Sequence, residues 1–190
     1  MRIATWNLAR HRTASRIADQ RAVLDGVHAD VLVLTEVHRE YLRDCPGHVL
    51  AASSDESTTD DVHWVGIVTN GRIGGNCLRS SALSAAARVV IESQEIIVYG
   101  SVLPWRAAPR QIPRWALPDE DASAMFKRFL DQHVADIDEL MAEFPNAQMV
   151  WAGDFNQTLS GPNYGGSERS RVDLQTALDD RRLTAWNQHL

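Results

Sequence analysis

Two hydrophobic rhythms alternate along the first third of the chain. Residues 2–8, RIATWNL, mix β-branched and aromatic residues at strand length, and residues 13–28 then space Ile17, Ala18, Val23, Leu24 and Val27 as a helix does, with Thr13 as N-cap and Gly26 where the helix frays. Residues 30–35, DVLVLT, form the unbroken apolar run expected of a strand covered on both faces, and that strand ends at Glu36. Residues 53–61, SSDESTTDD, carry four acids and almost nothing apolar, the composition of a surface loop. A strand-rich middle follows, with runs at 62–69, 86–92 and 95–102 and a tight turn at Ser93-Gln94. Residues 103–118 hold four prolines and no period, which predicts an irregular loop. Helical spacing returns over 119–143, with acids at its N-terminal end and Pro145 beyond it. The chain then gives a strand at 148–152, a Gly/Ser loop at 160–170 and a short helix at 171–182. Strands broken by helices in this order suit two packed sheets with helices outside better than one doubly wound sheet.

Composition narrows this picture. The 190 residues, 44% hydrophobic and 23% charged, are enough for one compact domain, and residues 1–190 are expected to form one. The formal charge of −6 argues against a broad basic face that binds nucleic acid through counterion release alone. An acidic chain can still act on phosphates if a cation neutralises the site. Cys45 and Cys77 are read as free thiols, no window is long and apolar enough for a membrane span, and the expected compartment is the cytoplasm. Of the 19 basic residues only Lys127 is lysine, so a single arginine says little about phosphate recognition.

The chemistry is concentrated where strands stop. Asn7 follows IATW, Glu36 follows VLVLT, and Asp154 and Asn156 follow MVWAG. Two carboxylates and two carboxamides match the needs of Mg2+, or of Mn2+ in its place: a hard cation that takes oxygen ligands, keeps several waters, and accepts one or two protein carboxylates alongside substrate oxygens. His11, His38 and His63 also fall near strand ends, but at no spacing that marks a zinc site, and are read as surface or supporting histidines.

The segments TWN, LTE and WAGDFN, in that order, resemble the endonuclease/exonuclease/phosphatase superfamily, the DNase I-like and exonuclease III-like hydrolases. That resemblance implies an α/β fold: a four-layer sandwich of two mixed β-sheets flanked by helices, with the site at one end of the sheets. Carried over by position, it implies that Glu36 holds a magnesium ion and that Asn7 lies beside it, as a ligand or against metal-bound water or phosphate. It further implies that Asp154 orients or deprotonates the attacking water at the same metal locus, and that Asn156 hydrogen-bonds the phosphoryl oxygens. The activity implied is metal-dependent hydrolysis of a phosphate ester, with a nucleic acid, a nucleotide or a small phosphorylated metabolite as substrate. The alternative is a non-catalytic phosphate-binding or interaction domain.

The match also breaks in places. Where relatives place a tyrosine or histidine at the end of the strand 95–102, register puts Ser101 here, with Tyr99 two residues earlier as a core residue. Relatives close on a strand with an Asp-His pair, and this sequence contains no Asp-His; His189 is read as part of the terminus and not as that histidine. The expectation is a sheet short of its C-terminal strand and an exposed edge open to self-association, in a fragment, a complemented chain or a degenerate relative. The loop 104–115, PWRAAPRQIPRW, repeats Arg106, Arg110 and Arg114 between Trp105 and Trp115: either Arg106 and Arg110 join Ser101 as candidate substrate contacts with the tryptophans as stacking groups, or this is a surface or packing loop. Pro109 and Pro113 forbid one regular helix through it.

Overall fold

The computed structural model describes residues 1–11, 13–45, 47–53, 61–70, 73–91, 93–162 and 165–185. The elements in chain order are β1 (Ile3–Asn7), α1 (Ala14–Val27), β2 (Val31–His38), α2 (Arg39–Arg43), β3 (His48–Ala52), β4 (Val62–Thr69), β5 (Gly74–Ser80), β6 (Ser84–Ile91), β7 (Gln94–Val102), α3 (Ala108–Gln111), a 3-10 turn (Pro113–Trp115), α4 (Ala122–Glu143), β8 (Gln148–Asp154) and α5 (Glu168–Asp180). They group into two compact units, one of Met1–Val102 with Leu140–Asp154 and one of Leu103–Glu139 with Phe155–Leu190. The acidic run at 54–60 and the segment containing His189 lie outside the described residues. Among those described, no helix is long and apolar enough to cross a membrane.

The first unit contains both sheets, in the orders β1-β2-β4-β3 and β5-β6-β7-β8. Each is mixed in the same way: an antiparallel set carries one parallel strand at its edge, β1 along β2 in one and β8 along β7 in the other. β1 and β8 also touch each other, so the two parallel edge strands run along the same border of the sandwich. Between the sheets the backbone of β7 comes very close to the first sheet. A Cβ on Gly100 would lie 2.6 Å from a Val65 methyl and 3.0 Å from one of Val33, so glycine is what lets these valines seat against the β7 main chain.

The face of β2 turned away from that interface is covered by α1 and α2. Leu8, Ile17, Leu24, Leu34, Val37, Tyr41, Leu42 and Val68 form its core cluster. α1 buries Ile17, Gln20 and Leu24, a narrower stripe than its sequence suggests, and Val23 is left 55% exposed. The α1 N-terminus follows Thr13 in extended backbone, but the threonine hydroxyl makes no capping bond. Cys45 and Cys77 are free thiols, and burial pushes the Cys45 thiol up, away from the reactive thiolate. His38 accepts the Glu40 N–H and so caps α2, while His63 Nδ1 lies 2.8 Å from the Ser53 carbonyl; both are structural.

The second unit is helical. The prolines of 103–118 start turns here: Pro109 opens α3 and Pro113 opens the 3-10 turn, positions where a missing N–H costs no hydrogen bond. Trp115 is buried against Phe129 and edge-on to Trp105, whose indole N–H is bound by Gln111, so Trp115 is core and does not serve as a platform for bases. Arg128 closes the segment by donating to both Glu120 oxygens at 2.7 Å and to the Trp115 carbonyl.

The Glu120 side chain is only 8% exposed, and the Arg128 hydrogen bonds hold its carboxyl below the usual carboxylate range. A lowered folded value means this stabilisation is complete above the ordinary glutamate pKa of about 4.3 and is lost as pH falls through the folded one. Glu120→Gln is therefore expected to melt earlier than wild type at pH 6–7, with the gap closing in melts taken at successively lower pH.

Candidate functional site

The sequence WAGDFN starts as β8. Trp151 pairs with Tyr99 across the parallel ladder and packs edge-on against it at 6.4 Å, and its indole donates to Ser101 Oγ at 2.8 Å. Tyr99 is fully buried, as the sequence predicts. Ser101 is buried as well, and its hydroxyl, accepting from the Trp151 indole, holds β8 to β7. Gly153 follows, opposite Ser101, with φ +140°. A Cβ there would lie 2.0 Å from the Ser101 carbonyl oxygen, so no other residue keeps β8 this close to β7 while turning the chain at Asp154.

β2 reaches the same border differently. The strand does not stop at Glu36 but runs on to His38, and Glu36 itself has φ 50°. This one left-handed residue breaks the two-residue alternation, which explains why Leu34 and Val37, of opposite parity, belong to the same core cluster. On β1 the chain leaves Asn7 through Leu8, which is 1% exposed and whose N–H donates to Thr35, and then turns through Ala9 and Arg10, with φ 54° and 55°. Gln20 of α1 clamps this turn by donating to the Leu8 carbonyl. Left-handed backbone at three side-chain-bearing residues costs on the order of 1–2 kcal/mol apiece. Such strain, concentrated at one place, is characteristic of positions held for a purpose.

These turns bring three side chains together. Asn7 Nδ2 donates to Glu36 Oε1 at 3.2 Å and to Asp154 Oδ2 at 2.7 Å, so the two carboxylate oxygens lie within about 6 Å of each other. The other Glu36 oxygen accepts from Arg10 Nε at 2.8 Å. Asn7 Oδ1 accepts the Ala9 N–H, so the carboxamide is oriented with its donors toward the two carboxylates. Among the described residues no three His, Cys, Asp or Glu side chains gather as a metal cluster. Two carboxylates held side by side still fit a hard cation that keeps most of its waters.

Asn156 belongs to the second unit, where its carboxamide donates to the Leu103 carbonyl at 2.9 Å and its backbone has φ 48°, a conformation asparagine adopts at little cost. Arg106 and Arg110 are exposed in that unit. Arg106 lines a cavity of about 510 Å³ with Pro104, Ser123, Ser167 and Glu168. The residue that sequence reasoning missed is Arg10. Its link to Glu36 depends on a left-handed turn that no local pattern announces.

Asn7→Ala removes the one group that donates to both carboxylates and is expected to lower unfolding free energy by about 1–3 kcal/mol in denaturant titrations. Gly153→Ala forces overlap with a backbone carbonyl and is expected to cost about 3 kcal/mol or more by the same measurement.

No family model and no curated protein matches this sequence. Solved structures do match in shape. The endonuclease domain of TRAS1, a telomere-specific non-LTR retrotransposon, aligns with TM-score 0.62 at 14% identity, over 94% of this chain and 71% of that one. D. rerio TDP2 complexed with a single-strand DNA product aligns with TM-score 0.56 at 19% identity, over 82% and 60%. The human Nocturnin catalytic domain with bound sulfate aligns with TM-score 0.57 at 12% identity, over 87% and 66%. The chain thus spans about two thirds of the length of these structures. With two mixed four-stranded sheets, flanking helices and these neighbours, the chain has a DNase I-like α/β sandwich fold.

Proposed function

We propose that this protein is a divalent-metal-dependent hydrolase of phosphate esters, with a phosphodiester as its substrate. The observation that carries the reading is the pairing of Glu36 with Asp154 through Asn7, at the border where both parallel edge strands end. Placing two carboxylates within about 6 Å leaves negative charge concentrated at one point, which a cation relieves. The solved structures of similar fold support the same chemical class, since they include an endonuclease domain and a TDP2 complexed with a single-strand DNA product.

Glu36 is the residue that would hold Mg2+ or Mn2+, and the ion supplies neutralisation of the charge that builds on the phosphorus oxygens. Asp154 accepts the proton of the attacking water. Asn7 fixes the Asp154 carboxylate by donating to Oδ2. Asn156 is carried over as a phosphoryl donor on the resemblance alone.

The test is hydrolysis of a generic phosphodiester, bis(p-nitrophenyl) phosphate, with Mg2+ or Mn2+. Asp154→Asn is expected to reduce turnover by at least a hundredfold with an unchanged melt, because it removes the base and almost no volume. Glu36→Gln is expected to shift the metal dependence to higher concentration. Equal rates for wild type and Asp154→Asn at matched melting temperatures would refute the reading.

A further inference from the structure

Arg10 is fixed by three separate contacts, all within the first unit. Its backbone N–H donates to the Glu36 carbonyl at 2.9 Å, its Nε donates to Glu36 Oε2 at 2.8 Å, and its guanidinium carbon lies 5.1 Å from the centre of the Trp64 ring. Trp64 is 2% exposed, so this aromatic surface is a rigid floor. The Glu36 side chain is 13% exposed and that of Arg10 40%, which puts the ion pair at the rim of the sheets with its carboxylate inside and its cation facing water. The backbone of Arg10 is left-handed, and this conformation is what turns its side chain back over Glu36.

Both Glu36 oxygens are therefore taken, one by a neutral amide at 3.2 Å and one by a cation at 2.8 Å. A divalent ion arriving at Glu36 would compete with the Arg10 guanidinium for one carboxylate charge, so each weakens the binding of the other. Of the pair, the Arg10 head is the more exposed.

We propose that Arg10 is a built-in counter-ion for Glu36 that competes with a divalent cation for its charge, so that it lowers the site's metal affinity while stabilising the metal-free fold. This rests on the reading of Glu36 as a cation ligand. In the metal-free protein Arg10 keeps the Glu36 carboxylate paired beside Asp154. Arg10 thereby sets the metal concentration at which the site fills. It is a positioning residue for Glu36 and takes no part in bond breaking.

The experiment measures Mn2+ binding to metal-free protein by titration calorimetry, without substrate, for wild type, Arg10→Gln, Arg10→Lys and Glu36→Gln, with thermal melts of each. An ion pair with a solvent-facing cation is worth up to about 1 kcal/mol, so Arg10→Gln is expected to bind Mn2+ up to about fivefold more tightly than wild type. Arg10→Lys, which keeps the charge but loses the planar donor, is expected to fall between them. In metal-free buffer Arg10→Gln should melt below wild type, and the gap should close at saturating Mn2+, a pattern that simple loss of packing would not produce. If wild type binds Mn2+ in a Glu36-dependent way but Arg10→Gln binds no more tightly, the counter-ion role is overturned and the metal site stands. If wild type and Glu36→Gln bind alike, both fall.

Discussion

Two carboxylates from different sheets cannot be brought to within about 6 Å unless something positive or donating lies between them. Much of the local architecture at this border serves that constraint. Asn7 bridges Glu36 and Asp154, Arg10 covers the remaining Glu36 oxygen, and the left-handed turns at Ala9, Arg10 and Glu36 aim these groups. Gln20 and Leu8 anchor the turn from the α1 side, while Gly153 and Ser101 anchor the β8 side. Residues that look like ordinary packing thus fix the distance between two like charges.

The sheets are arranged so that this border exists. Each contributes a single parallel strand at its edge, and these two strands lie side by side with Asn7 and Asp154 at their ends. A parallel neighbour needs a long crossover to reach its place, which is why α1 separates β1 from β2, and α3, the 3-10 turn and α4 separate β7 from β8. The sheets can approach closely enough for the contact because Gly100 yields its side-chain volume to Val33 and Val65.

Elements with strong periodicity were legible in the sequence. The run 62–69 coincides with β4, and the apolar and helical runs at 2–8, 95–102, 119–143 and 148–152 locate β1, β7, α4 and β8 within a few residues. What escaped was short or weakly apolar. β5, with the sequence GGNCLRS, is an exposed edge strand whose pairing comes from β6, and α2 is five residues capped by a histidine. Asn7, Glu36 and Asp154 were legible because polar residues that end apolar runs stand out. Arg10 was not, since its role arises from backbone geometry, and no local pattern distinguishes the interior roles that Ser101 and Trp115 take in the structure.

The hydrogen bond between Asn7 and Asp154 joins groups 147 positions apart in the chain. Closing so long a loop is entropically unfavourable until the intervening strands have paired, so this contact forms late when the protein folds. The α1-linked β1–β2 pair can assemble early from its own neighbourhood, whereas β8 must wait for β7 and the whole of α4. A half-folded chain therefore carries Glu36 without Asp154, and the two carboxylates meet only once the molecule is complete.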